Sequence, residues 1–404
     1  MSERDVHDQN FGSQDEPGRY GIEASPSEAQ YDRDPAFDLE EKRPRTRRRV
    51  RGYVTLLAVI AIVAGVFLIP VPYVVSSPGP TYDVLGSLAG TPVIDIDDEQ
   101  VADSSEGQLR MVTVTSRGGP GNRVFLGEYL GALLDPTKQV RPVEEVFPSN
   151  LTSEEIEEMS KIQMTSSQST AAAAALEELG YEIGVKMIVA GATTGSHAEG
   201  LVEEGDILQA ITTPDGVRHE VDRPSVPFAL PKTLEPETPV TLEVLRDGEP
   251  VSIDMRTYRP EGAGEDFAGS RFGVYLSTEV ELPIDVTVHL ENVGGPSAGM
   301  IFALGIIDKL TGGDSTGGMI VSGTGAISYD GEVEPIGGIV QKMHGAKRDG
   351  AQWFLAPRAN CDEVVGNIPE GLQVWPVGTL SEARAALKSI AAGSTVDHPV
   401  CEAK

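Results

Sequence analysis

The sequence predicts an α/β (α+β) domain toward its C-terminal end, a small β-rich module ahead of it, and a single apolar helix near the N-terminus. Three observations carry this. From "IDVTVHL" through "AGMIFALGIIDKL", "GGIVQKMHGAKRDG", "AQWFLAP", "CDEVVGNI", "LQVWPV" and "SEARAALKSIA", strand-like and helix-like runs alternate, as in an α/β domain. Between "YEIGVKMIV" and "SIDMRTYRP" the chain is instead short strands and glycine turns. Upstream, "YVTLLAVIAIVAGVFLIPVPYVV" is apolar over about the length needed to cross a bilayer core of roughly 30 Å.

Residues 1–41 are polar, acidic and almost free of aliphatic side chains, too poor in apolar surface to offset the entropy of ordering, and are expected to be disordered. The basic run "KRPRTRRRVRG" follows, completing a tail at 1–52, and the expected transmembrane helix is 53–75. Basic residues on the N-terminal side alone place the tail in the cytoplasm and everything beyond Val75 outside a cell membrane crossed once. A cleaved signal peptide is the rival reading. It fits less well, because the run is too long and no small-x-small site precedes "SSPGP".

The formal net charge of −30 argues against binding nucleic acid or anionic lipid heads over a broad surface. In the segment 76–178, "GQLRMVTVTSRG" alternates as a strand. "LTSEEIEEMSKIQMTSSQSTAAAAALEELG" then opens with a capping-box pattern, Thr152 with Glu155, and predicts a helical pair or one broken helix up to Gly180. The β-rich module is bounded at 179–262, with "VTLEVLRDGEPVSIDM" as a hairpin turning at Asp247 and Gly248. The α/β domain occupies 263–392 and a tail 393–404. Cys361 and Cys401 both fall in the exported part, where a disulfide pinning that tail, or two unrelated thiols, are the choices.

No histidine pairing or cysteine spacing supports a metal site, and no G-x-x-x-x-G-K-[ST] loop is present, so neither a metal nor a nucleotide cofactor is expected. "GPSAG" satisfies the G-x-S-x-G pattern that lifts a serine onto a strand-to-helix turn. Ser297 would then sit at a helix N-terminus, where backbone N–H groups near Gly295 and Ala298 can stabilise an oxyanion. A serine hydroxyl needs a base, either histidine or a lysine whose pKa burial has lowered. His344 sits among charged residues, His398 lies in the tail, and His289 reads as a packing residue. Lys342 and Lys347 flank the same apolar stripe, Ile339, Met343 and Ala346, and periodicity does not choose between them.

Two resemblances add to this. "GSHAEGLVEEGDILQAI" resembles the part of bacterial PDZ domains in which a short helix leads into a central strand. A PDZ domain binds peptide C-termini by strand addition, and by that resemblance "YEIGV", with Ile183, Gly184 and Val185, is the expected carboxylate loop. "GGPSAG" followed by "GTGAISYDGEVEPIGGIVQKMHGAKRDGA" resembles the proteolytic domain of the Lon family. That resemblance implies Ser297 as nucleophile, Lys342 as general base and Thr324 as the residue orienting the lysine. The family's acidic residues before Gly-Pro-Ser and after Thr-Gly are Gly294 and Ala326 here.

"MTSSQSTAAAAAL" resembles the helix preceding the Lon core, which would make the PDZ module an insertion. With "VPYVVSSPGPTYDVLG", the chain as a whole is similar to the membrane-anchored PDZ and Lon-like serine proteases of Gram-positive bacteria, which lack the ATPase module. The resemblance implies an ATP-independent serine endopeptidase acting on protein or peptide substrates, and a homo-oligomer, commonly a hexamer. The alternative is an inactive scaffold that binds partner C-termini at the membrane.

Overall fold

In a computed structural model, residues 45–97, 101, 106–147, 151–264, 267–290, 293–394 and 398–402 are described. The expected disordered tail, 1–41, and the start of the basic run, 42–44, lie outside them. The chain divides into two compact units, Met1–Val63 and Ala64–Lys404.

Helix α1, Arg45–Phe67, includes the run Arg49–Phe67, which is long and apolar enough by length and composition to cross a membrane, and none of that run is buried. It stops well short of Val75. Pro70 and Pro72 have no N–H to continue a helix, and the chain instead becomes extended as β1 (Pro70–Val71) and β2 (Tyr73–Asp83). Val74 and Val75 are buried in the second unit, so the last apolar residues of the expected span belong to the folded part.

The second unit continues through β3 (Ile94–Ile96), β4 (Gln108–Arg117), β5 (Val124–Phe125), α2 (Leu126–Leu133) and β6 (Gln139–Pro142) to helix α3 (Ser153–Glu178). The capping box forms: Glu155 N–H donates to Thr152 Oγ1 at 3.3 Å, and Thr152 N–H donates to the Glu155 carboxylate at 2.8 Å. The helix is single and unbroken, in place of the expected pair or broken helix. Its polar "TSSQST" stretch survives because Met164, Ser167 and Thr170 are buried, and the alanines 171–175 that follow pack into the core.

The β-rich module is an antiparallel sheet of β7 (Gly184–Ala192), β8 (Ile207–Thr212), β9 (Arg218–Glu220), β10 (Pro239–Arg246), β11 (Glu249–Arg256) and β12 (Val274–Glu281). Its order is β11-β10-β8-β7-β12, with β9 beside β8, so the module extends past the expected boundary at 262. Asp247 and Gly248 form the hairpin turn with φ of 51° and 85°, the doubly positive geometry that a two-residue hairpin favours.

After β13 (Val286–Val288) come α4 (Gly299–Leu310), β14 (Ile320–Gly323), β15 (Ala326–Ile327), β16 (Val333–Glu334), α5 (Ile339–Arg348), β17 (Trp353–Pro357), β18 (Gln373–Val377) and α6 (Leu380–Ala391). The main sheet has the order β18-β17-β14-β4-β2-β6. β18, β17, β14 and β4 run parallel, while β2 and β6 pair antiparallel. Strands from before and after the β-rich module thus share one sheet. α4 is buried from Gly299 to Asp308 and packs with α3 and α6, while α5 packs with Phe354, Val364 and Val374 in a separate cluster.

Cys361 and Cys401 are disulfide-bonded across a separation of 40 residues, and His398 packs against Trp353 and Trp375 at ring distances of 5.1 and 5.3 Å. By the chain-entropy relation, closing such a loop contributes about 4 kcal/mol. We expect reduction to add the mass of two hydrogen atoms to the intact protein, and Cys401→Ser to lower the melting temperature by several degrees. An unchanged mass would refute the bond.

Candidate functional site

Ser297 lies in the turn that enters α4. Gly295 holds a left-handed φ of +84°, which glycine adopts without strain, and its N–H donates to the Ser160 carbonyl at 3.1 Å. Ser167 Oγ of the same helix donates to the Pro296 carbonyl at 3.0 Å. α3 therefore grips the turn on one side. On the other, Gly325 N–H and Thr324 Oγ1 both donate to the Ser297 carbonyl, each at 2.9 Å. Gly299 permits this close approach: a Cβ there would stand 2.8 Å from Ile327 and 2.9 Å from Ser167.

Lys342 arrives from α5. Its Nζ donates to Ser297 Oγ at 2.9 Å and to Thr324 Oγ1 at 3.0 Å. The lysine is 3% exposed, and burial alone pulls its pKa down from the ordinary lysine range to about 7. Near neutral pH it is therefore substantially uncharged and has a lone pair to offer. Lys347, the other lysine beside the stripe, points elsewhere and donates to the Gly371 carbonyl at 2.9 Å. Ahead of α5, Asn360 accepts from the Ile336 N–H and donates to the Ile336 carbonyl, both at 2.9 Å.

The structure thus brings Ser297, Thr324 and Lys342 together, and it corrects one expected oxyanion donor. Gly295 has spent its N–H on Ser160, whereas the N–H groups of Ala298 and of Ser297 itself have no partner among the described residues. Ser160, Ser167 and Asn360 were not legible as site residues, because each acts through a backbone group remote in sequence. His289 lies 3.8 Å from Asp95, away from Ser297. No cluster of potential metal ligands occurs among the described residues.

Ile183, Gly184 and Val185 are not brought to an open edge. Ile183 is buried with Ala173 and Leu176, and β12 pairs with Gly184 and Val185 through Glu281 and Val280. The expected carboxylate loop is thus covered by β12, and the two outer strands of this sheet are β11 and β12.

A cavity of about 470 Å³ opens on Ser297 and Lys342, walled by Met164, Val293, Gly294 and the strand residues Val112–Thr115. β14 pairs with β4 only as far as Met111, so residues 112–115 present an edge free on that side.

Protonating Lys342 in place is unfavourable, while the unfolded lysine keeps a pKa near 10.4. Between about pH 7 and 10 the unfolded chain binds the extra proton, so this residue's contribution to stability rises with pH there and is at its lowest below about 7. We expect Lys342→Met to melt above the parent at about pH 6, with the gap shrinking toward about pH 9.5. A gap that does not change with pH would contradict the lowered pKa.

Residues 278–388 match the family model described as Lon protease (S16) C-terminal proteolytic domain. Lon protease 2 of Bacillus subtilis is 36% identical over 108 residues, covering 25% of this chain and 18% of that protein. The Lon protease of Haemophilus influenzae is 33% identical over 114 residues, covering 26% and 14% respectively. That of Buchnera aphidicola is 33% identical over 105 residues, covering 24% and 13%. The matched stretch thus spans less than a fifth of the length of these relatives. The segment that holds Ser297, Thr324 and Lys342 is thus the one that matches the Lon protease (S16) proteolytic domain.

Proposed function

We propose that the chain is a membrane-anchored, extracytoplasmic, ATP-independent serine endopeptidase that works through a Ser297–Lys342 dyad. The observation that carries this is the buried Lys342 amine, 2.9 Å from Ser297 Oγ with a pKa drawn to about 7, inside a Lon-type domain. Uncharged Lys342 takes the serine proton as Oγ attacks the scissile carbonyl. The tetrahedral oxyanion is held by the unpaired N–H groups of Ser297 and Ala298. Lys342 then hands its proton to the departing amine, leaving an acyl-serine that water hydrolyses with the same lysine as base. Thr324 orients the lysine. An extended substrate would add as a strand along Val112–Thr115.

The membrane reading rests on the apolar run of α1 and the basic residues at its N-terminal end. ATP independence is in keeping with a sequence that holds no G-x-x-x-x-G-K-[ST] loop, so substrates would be exposed or already unfolded chains. In the β-rich module, the PDZ reading moves to β12. The unpaired edge of that strand and the helical segment 226–233 line a cavity of about 240 Å³ together with Arg271, Phe272, Gly273 and the carboxylates Glu332 and Glu334. The Phe272 and Gly273 N–H groups have no partner among the described residues, a nest suited to a peptide carboxylate beside Arg271.

We expect Ser297→Ala and Lys342→Ala each to cut cleavage of an unfolded protein by at least about a thousandfold, and Thr324→Val by about tenfold. In the parent, kcat/KM should rise with pH through about 7 as Lys342 loses its proton. Variants that cleave as well as the parent would end the dyad assignment.

For the module, a labelled peptide with a free C-terminal carboxylate should bind more tightly than its amide. Arg271→Gln should erase the difference. Equal binding of both peptides by the parent would leave the module without this role.

A further inference from the structure

The second unit carries a helix whose outward face is the wrong polarity for water. α2 packs Ala132 and Tyr129 inward against Val71, Val75, Val124 and Val140. On the opposite side Leu130, Leu133 and Leu134 stand at the i, i+3, i+4 spacing of a single stripe, with Leu133 57% and Leu134 87% exposed. Phe125, one residue before the helix, is exposed as well. Both faces are therefore apolar, and only one is covered.

The position of this stripe says what would cover it. Leu126 N–H donates to the Ile69 carbonyl at 2.8 Å, and β1 pairs with β5 through Pro70–Phe125 and Val71–Val124. Leu68 and Ile69, the residues just beyond the end of α1, are themselves exposed. The stripe is thus continuous with the point at which the chain leaves the apolar helix. The charged groups nearest in sequence are paired: Glu128 with Arg117 at 3.4 Å, and Asp135 with Lys138 at 3.2 Å.

We propose that α2 is a membrane-surface foot: Phe125, Leu130, Leu133 and Leu134 insert into the acyl boundary of the outer leaflet beside the point where the chain exits. This rests on the membrane-anchored reading given above. Insertion is driven by apolar burial, because a chain of net charge −30 is repelled by anionic headgroups. The binding partner is a zwitterionic lipid interface.

The test uses the full chain in phosphatidylcholine vesicles, with an environment-sensitive fluorophore on single introduced cysteines. Leu134→Cys reports the foot, Ile60→Cys the anchor, and Lys388→Cys on α6 an exposed reference. With lipids spin-labelled near the head of the acyl chain, we expect quenching of the label at position 134 to exceed that at position 388 several-fold and to be unaffected by added salt. If position 60 is quenched and position 134 matches position 388, the foot is refuted while the anchor stands. If position 134 is shielded but not quenched, and the shielding grows with protein density, a second copy covers the stripe and the proposal also fails. If neither position 60 nor position 134 is quenched, the membrane reading itself falls.

Discussion

The contact on which the structure turns is a lysine amine held out of water against a serine hydroxyl. Taking an ammonium from water into a protein interior is costly, and a lysine so placed tends to lose its proton instead. Among the described residues no carboxylate contributes to the Lys342 shift, and burial is the cause of its lowered pKa. The positions flanking the turns, 294 and 326, are Gly294 and Ala326, so no charge at those two positions opposes the loss. The same burial that weakens the fold at low pH equips the amine to act as a base.

Keeping that amine in place requires the two-sided grip on the Ser297 turn. α3 holds Gly295 and Pro296 through Ser160 and Ser167, and the chain after β14 holds Ser297 through Thr324 and Gly325. Asn360 holds Ile336, just ahead of α5, through both of its backbone polar groups. These elements come from three separated stretches of sequence, joined by the sheet that β4 and β14 share. The β-rich module hangs between α3 and β13, and its size does not disturb the register of that sheet.

Ser297 was legible because its motif is local: glycine, proline and serine in sequence dictate a turn into a helix. The choice of Lys342 over Lys347 was not legible from periodicity, since both border one apolar stripe and only the entry angle of α5 separates them. The end of α1 was misjudged for a related reason. Residues 70–75 are apolar, and a membrane and a protein core accept the same side chains, so only the prolines hinted at the change. The peptide edge of the β-rich module was placed on Gly184 because the strand that covers it, β12, comes about ninety residues later; the order of strands in a sheet is a long-range property.

The most direct test of the central contact is to trap the acyl-enzyme. An activated peptidyl ester offered to the full chain should leave one covalent adduct, located on Ser297 by peptide mapping. Its rate of formation should rise with pH to a midpoint near 7 in the parent, and Lys342→Met should leave Ser297 unmodified. An adduct on another residue, or the same rate of Ser297 modification with and without the lysine amine, would contradict the assignment.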